Sequence, residues 1–292
     1  MRAAGDGGYL TRAGADMNTK NQGIYPGISN DEYHKMPGIS STYLRQWTKC
    51  PLSTTSPTPE TKAMAFGSAA HKYILERDEF FTEFAVAPKV DRRTKSGKEE
   101  YERFVVDAVG KTIIADDEFC KILEMRDALF AHPVAVQMLS AGDVEQSIFW
   151  TDQKTGLDCK CRPDLINSVL VDYKTTTDAS PHGFSSSIQK YGYHQQAAHY
   201  IDGYNAVTSD KQDQFCFIAQ ESKPPYLVGV YFLDEDAIEI GREKNRRALY
   251  SIANHAGALP SYNNNESAII TLPGWALYEH AAQERDELVG FE

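Results

Sequence analysis

The chain has 292 residues, 41% hydrophobic and 24% charged, a composition that supports one large folded domain or two small ones and excludes disorder over most of its length. Its 30 basic and 41 acidic side chains give a formal charge of -11, which excludes a basic nucleic-acid coat but not a local basic stripe around a site. No run approaches the roughly 18 apolar residues of a membrane helix, and no basic segment followed by an apolar run marks a secretory signal, so a soluble, intracellular protein is expected.

Residues 1–22, rich in Gly, Ala, Asn and Thr without apolar period, are expected to form a flexible leader in which Met17 is a second candidate start. One domain is expected over 23–260. A C-terminal extension over 261–292, with Trp275, Tyr278 and a Glu-rich end, reads as a subunit contact or a frayed tail. Ser40-Ser41 ahead of Tyr43, Leu44 and Trp47 predicts a capped short helix that stops before Cys50-Pro51, followed by a loop over 52–59. A second helix is expected over 60–76. Its apolar face is rich in small residues (Ala63, Gly67, Ala69, Ala70), which let a helix lie close to its neighbour, as in membrane bundles. The segment 88–100 is the most basic window, and helical periods resume over 99–109 and 117–139, the latter broken near Pro133.

The pattern then changes to strands over 145–151, 157–166 and 169–175, separated by turns at 153–156 and around 167–168, which predicts a three-stranded antiparallel meander. A helix over 187–204, strands over 214–220 and 226–233 and a polar helix over 234–254 complete the order. Helix, three strands, helix, strands, helix argues a mixed α/β domain without internal repeat.

The chemistry concentrates in Arg162-Pro163-Asp164 and, eight residues on, Asp172-Tyr173-Lys174. Asp172 and Lys174 share one strand face. An odd loop between the strands, such as 167–169, sets Asp164 opposite Asp172 on that face, whereas an even loop sends it to the other side. Two carboxylates so close repel and raise one pKa unless a cation joins them. Hard oxygen ligands suit Mg²⁺ or Mn²⁺, which orient and activate water and stabilise the leaving oxygen of a phosphodiester. The lysine would position or deprotonate that water and offset charge on the phosphate. The same tripeptide also reads as a D-x-K ion pair on a surface strand.

Pro163-Asp164, a spacer and Asp172-Tyr173-Lys174 resemble the PD-(D/E)XK nuclease signature, and the element order resembles that superfamily's αβββαβ core, the fold class expected here. His71, at the end of Gly67-Ser68-Ala69-Ala70-His71, resembles the additional metal ligand of the RecB-like branch. Gln196 and Tyr200 match that branch's Q-x-x-x-Y motif on one helical stripe, with Tyr193 one turn earlier. The runs at 91–98, 145–150, 155–164, 172–180 and 191–200 follow the order of the exodeoxyribonuclease VIII (RecE-type) family, a resemblance extending from about Tyr33 to Phe232.

The resemblance implies that His71, Asp164 and Asp172 ligate metal, with the Tyr173 carbonyl as a further ligand, that Lys174 is the catalytic lysine, and that Gln196 and Tyr200 brace the site or touch DNA. It implies two Mg²⁺ ions, with Mn²⁺ as the alternative. It further implies a toroidal homo-oligomer in the cytoplasm of a bacterial host, degrading linear double-stranded DNA from 5′ ends and leaving 3′ tails for a RecT-like single-strand annealing protein in phage or prophage recombination. Alternatives are a single-strand or flap-directed nuclease of the RecB-like type, and a non-catalytic DNA-end-binding module on a nuclease fold.

Glu145 faces either the same cleft or solvent, and Arg162 reaches either a phosphate or a structural ion pair. Candidates for a basic channel are Arg92, Arg93 and Lys95 in the 89–98 segment, Lys49, and Arg242, Lys244, Arg246 and Arg247, against the alternative of solvated faces. Ser40, Ser41 and Arg45 at a helix start either bind a 5′ phosphate or cap the helix. The cysteines at 50, 120, 159, 161 and 216 read as reduced, structural thiols. Several RecB-like relatives build an iron–sulfur cluster from one upstream cysteine and three near the C-terminus. Here Cys50 is followed after Gln196 by Cys216 alone, so no cluster is expected.

Overall fold

Phe215-Cys216-Phe217-Ile218-Ala219 is an unbroken apolar run, the pattern of a strand covered on both faces. In the computed structural model of the chain, which describes residues 22–56, 59 and 61–289, all five are fully buried. The expected leader over 1–22 lies, but for Gln22, outside the described residues.

The elements run β1 (Gly23–Tyr25), α1 (Asn30–Lys35), α2 (Ser41–Lys49), α3 (Lys62–Leu75), α4 (Phe80–Glu83), β2 (Phe84–Val86), α5 (Lys95–Asp107), β3 (Thr112–Ile114), α6 (Asp116–Phe130) and α7 (Pro133–Leu139). Then follow β4 (Asp143–Val144), β5 (Ser147–Thr151), β6 (Asp158–Cys161), β7 (Leu165–Ile166), β8 (Leu170–Thr176), α8 (Pro181–Tyr191), α9 (Tyr193–Val207), β9 (Phe215–Glu221), β10 (Val228–Phe232), α10 (Glu235–Asn254) and α11 (Gly274–Val289). A five-stranded sheet has the order β10-β9-β8-β7-β4, a three-stranded one β1-β5-β6, and β2 and β3 pair alone. β8 and β9 run parallel, so α8 and α9 form the crossover between them. The fold is mixed α/β, with α3, the central strands, α9 and β9 following one another as expected.

Alternate residues of β9 serve two cores. Phe215, Phe217 and Ala219 pack with Leu44, Trp47, Phe184, Ile201 and Ile252 from α2, α8, α9 and α10. Cys216 and Ile218, with Val171 and Tyr173 of β8, pack against Ile74 of α3, Leu129 of α6 and Ala135 of α7. Each such apolar side chain contributes about 1.5–3 kcal/mol on burial, which fixes the strand that carries the candidate site between two layers. Thr61 opens α3 by accepting from the Met64 N–H at 3.2 Å. Gly67 then lets the helix lie against β8, since a Cβ there would stand 3.0 Å from Thr175 Oγ1.

The expected meander is corrected in one respect: it is divided between two sheets. β5 pairs with β6 and β7 with β8, and the strand expected over 157–166 breaks at Arg162-Pro163-Asp164, where Pro163 offers no N–H to a ladder. The helix expected over 187–204 is also two, because Gly192 between α8 and α9 adopts a left-handed φ of 67°. α5 begins inside the basic segment rather than after it, capped by Thr94, whose Oγ1 accepts from Gly97 N–H at 3.0 Å. β1, α1 and the β2–β3 pair were not expected. Among the described residues no helix is long and apolar enough to cross a membrane.

Candidate active site

β7 and β8 are joined by residues 167–169, an odd loop closed by Asn167, whose Oδ1 accepts from Val169 N–H at 3.0 Å and whose Nδ2 donates to Met138 O at 2.7 Å. The pairs Leu165↔Val171 and Ile166↔Leu170, continued by one residue, set Asp164 opposite Asp172. Asp164 Oδ2 accepts from the Tyr173 N–H at 2.7 Å, and the Asp164 carbonyl accepts from the Glu145 N–H at 3.0 Å.

Gly67 brings α3 close enough for His71, one turn later, to reach this edge. His71 Nε2 lies 2.9 Å from Asp164 Oδ2 and 3.6 Å from Glu145 Oε1, and one ligand atom from each of these three residues lies within 4.8 Å of the others. Glu145 precedes β5 at a left-handed φ of 52°, a conformation that costs about 1 kcal/mol or more for a residue with a Cβ and that turns its carboxylate into the cleft rather than to solvent. Arg162 Nε stands 3.3 Å from Glu145 Oε2 and donates to the Glu145 carbonyl at 3.1 Å, while its Nη2 meets the carbonyl of Ile28. Its guanidinium is therefore engaged in an ion pair at the cleft.

Asp172 is fully buried and stands beside this cluster. Its Oδ1 accepts from Gln196 Nε2 at 2.5 Å. Lys174 Nζ lies 2.5 Å from Oδ2, a contact that joins opposite charges without a well-directed hydrogen bond, so that this buried oxygen keeps no hydrogen-bond partner. Lys174 Nζ is also 5.3 Å from the centre of the Tyr193 ring. Tyr200, one turn beyond Gln196 on α9, lines the same cleft with its ring 6.0 Å from Phe215. Tyr173 turns its phenol to the opposite face, where it donates to Gln220 Oε1 at 2.7 Å.

Burial and like charge set the protonation of the group. Burial opposes a charged His71, but Asp164, by charge and hydrogen bond, and Glu145 outweigh it and raise the imidazole to about 9. Burial, then the neighbouring Asp164 charge, pushes Asp172 up to about 6. Burial likewise raises Glu145 to about 7, with Asp164 adding to it against His71 and Arg162. Asp164 itself is lowered: burial works against this, but His71, Lys174 and the Tyr173 N–H prevail. Lys174 is raised, since Asp172 and Asp164 outweigh its burial. An imidazole nitrogen with clustered carboxylates, two of them destabilised as anions, is a donor set that fits a divalent cation such as Mg²⁺ or Mn²⁺.

The cleft, about 1890 Å³, is lined by His71, Glu145, Arg162, Asp164, Lys174 and Tyr200 together with Arg45. The other basic residues named as channel candidates stand off this cleft. Arg92 lies over the Tyr101 ring at 4.0 Å, Arg93 forks onto Asp91 at 2.9 and 3.0 Å, and Lys95 is 3.9 Å from Glu99. Arg242 pairs with Asp202 and Glu239, Arg246 with Asp152, Arg247 with Glu243, and Lys244 meets His194. None of these, nor Lys49, lines the cleft. Lys62, Lys72, Arg77 and Lys121 do, alongside Glu76, Asp78, Glu79, Glu83 and Glu118, and Lys72 Nζ is held by Glu76, Glu79 and Glu83 at 3.0, 3.1 and 2.7 Å. The charged run Glu76-Arg77-Asp78-Glu79, after Lys72 and before Glu83, is a signal in the sequence that would have found most of them. Ser41 is buried outside the cleft wall, and Ser40 is an N-cap, its Oγ accepting from Tyr43 N–H at 3.2 Å.

The sequence profile of a family described as "PDDEXK-like domain of unknown function (DUF3799)" matches residues 40–256. A crystal structure of a protein from Eubacterium rectale, described as a "putative exonuclease", superposes with a TM-score of 0.56 at 12% identity over 86% of this chain and 98% of that one. A second structure, SSO0001, aligns over 70% of this chain and 84% of its own at 12% identity, with a TM-score of 0.26 that carries no weight. No curated protein matches the chain.

Proposed function

The chain belongs to the family described as a PDDEXK-like domain of unknown function, and from that membership we propose that it is a divalent-metal-dependent nuclease degrading linear double-stranded DNA from its 5′ ends. The observation that carries this reading is one hydrogen bond. Tyr173 N–H to Asp164 Oδ2 ties the His71, Glu145 and Asp164 cluster to the strand that presents Asp172 and Lys174. His71, Asp164, Asp172 and the Tyr173 carbonyl would hold the metal, two Mg²⁺ ions or Mn²⁺ in their place, with Glu145 beside them, and this group would supply an activated water and neutralise charge on the phosphate.

The chain's own groups do the rest. Gln196 holds Asp172 by one oxygen and leaves the other free for its partners. Lys174, kept as ammonium by the adjacent aspartates, positions the attacking water and meets the negative charge that develops on the phosphate. Glu145, pinned by Arg162, holds its carboxylate against His71. Tyr200 braces the wall beside Asp172.

A RecE-type enzyme of this kind leaves 3′ single-stranded tails for a RecT-like annealing protein in the cytoplasm of the bacterial host, and works as a toroidal homo-oligomer. The description of the Eubacterium rectale protein as a "putative exonuclease" supports the removal of nucleotides from an end. The mixed charge of the cleft means that a phosphate backbone is drawn in only when the cation is present. Incubation of linear and covalently closed circular duplexes of equal length, with Mg²⁺ or with EDTA, tests the assignment. Loss of the linear form alone, with Mg²⁺ alone, is expected; cleavage of both forms would indicate an endonuclease, and cleavage in EDTA would remove the metal from the reaction.

A further inference from the structure

α8 ends at the cleft. Ser187 and Tyr191, one helical turn apart, both line it, and Gly192 then turns the chain so that α9 opens with Tyr193, also in the wall. The Tyr191 ring is 51% exposed and stands 5.7 Å from the Tyr193 ring, which in turn lies 5.3 Å from Lys174 Nζ. A half-exposed aromatic is ordinary on an open surface, but the backbone that carries this one is tied down. Arg45 of α2 donates from Nη1 to the Tyr191 carbonyl at 2.8 Å, and its side chain fills the space beside Gly192 so fully that a Cβ there would stand 2.8 Å from Arg45 Cδ. Lys190 adds a cation 5.2 Å from the Tyr191 ring centre. The result is a half-exposed aromatic ring on an anchored backbone, one ring away from Lys174.

We propose that Tyr191 is the stacking platform for the nucleobase of the nucleotide being removed, an assignment that rests on the nuclease reading above. A phosphate drawn down to Asp164, Asp172 and Lys174 pulls its base out of the duplex stack, and an extruded base gains most from an aromatic face waiting beside the site. Every base has a π face, so tyrosine stacking accepts any sequence, as an enzyme that removes successive nucleotides requires. The ligand class is therefore an unpaired nucleobase at a duplex end, with the Lys190 ammonium, which lies over the Tyr191 ring, adding positive charge to the stack and Arg45 holding the chain behind it.

The test uses the full chain with Ca²⁺ in place of Mg²⁺, so that DNA binds without being cut, and linear duplexes carrying an abasic site at each of the three terminal nucleotides in turn. Wild type is expected to lose about tenfold in affinity at one of these positions, the equivalent of one lost stack. Tyr191→Ala is expected to bind the intact duplex about tenfold more weakly and to be indifferent to the abasic site, and Tyr191→Phe to restore both behaviours. Because the ring is half exposed, its removal leaves no buried cavity, and an unchanged melting temperature confirms the fold. An abasic penalty that persists in Tyr191→Ala, no penalty at any position in wild type, or failure of Tyr191→Phe to rescue would each overturn the platform while leaving the nuclease reading standing. A wild type that neither binds these ends with Ca²⁺ nor shortens them with Mg²⁺ would remove both.

Discussion

His71 holds a proton at neutral pH in the metal-free protein, because Asp164 and Glu145 raise it to about 9 against the opposing effect of burial. A cation must displace that proton, and it also needs Glu145, pushed to about 7, and Asp172, pushed to about 6, as anions. Metal affinity is therefore expected to climb between about pH 6 and pH 9 with release of protons, which calorimetry in buffers of different ionisation enthalpy measures directly. Affinity that is flat across this window would contradict the assignment of His71. All three folded-state pKa values lie above their unfolded ones, so these three groups favour the metal-free fold at low pH, while the lowered Asp164 works the other way. His71's contribution, complete below 6.5, is lost through about 9, and the ionised carboxylates cost more as they charge. The rise in melting temperature on adding Mn²⁺ should accordingly be larger at pH 8 than at pH 6. Repulsion alone would make removal of either aspartate harmless to the fold, but Asp172 is the counter-ion of Lys174 and the acceptor of Gln196. Asp172→Ala is expected to cost about 2 kcal/mol in denaturant titrations. Asp172→Asn keeps the Gln196 contact, costs less, and still lowers metal-supported cleavage by at least about a hundredfold; activity near wild type in the Asn variant would exclude Asp172 from the site.

At the level of elements, what could be read from the sequence was what is encoded locally. Ser40 caps α2 where expected, α3 and α10 begin within a few residues of their expected starts, Pro133 separates α6 from α7, and the three-residue loop over 167–169 sets Asp164 against Asp172. The remainder depends on contacts across the chain. Pro163 visibly lacks a donor, but only the packed sheets make that gap a passage from one sheet to another. Gly192 inside a helical pattern reads as tolerated, and only the Arg45 side chain lying against it demands the kink. Gly192→Ala, with both a left-handed φ and that close contact to relieve, is expected to destabilise by about 1–2 kcal/mol, and unchanged stability would show that the kink is not required. The basic residues of 89–98 and of α10 are legible as charges, but what holds them is not: Arg92 lies over Tyr101, Lys244 meets His194, and Arg242 and Arg246 reach Asp202 and Asp152 across the chain. Glu145 was legible as a candidate, but its place beside His71 depends on a left-handed backbone. His199 on α9 offers a separate check on the packing of this helix: its Nε2 lies 3.1 Å from both the Ile39 and Lys160 carbonyls, and burial lowers it to about 4. Stability from this group is present above its unfolded value of 6.5 and lost as pH falls towards 4, by up to about 3 kcal/mol. Thermal unfolding of wild type should thus fall more steeply over that range than that of His199→Gln.

The whole molecule is acidic, and its cleft carries both signs of charge around the candidate metal centre. Binding of duplex ends is therefore expected to need a divalent cation, at least about tenfold weaker in EDTA than in Ca²⁺; equal affinity in both would point to a basic surface outside the cleft. The stretch before and within the start of α11 exposes Ile269, Ile270, Trp275 and Tyr278, apolar area that suits the subunit contact proposed for residues 261–292, and sedimentation of a chain ending at residue 260 tests it by loss of the oligomer. Digestion of a linear duplex labelled at its 5′ or its 3′ end, with Mg²⁺, with EDTA, and with Lys174→Ala, addresses the chemistry itself. Early Mg²⁺-dependent release of the 5′ label, absent from Lys174→Ala, is the expected result. Release unaffected by that substitution, or no release from either end, would mean that Asp164, Asp172 and Lys174 do not form a working nuclease site.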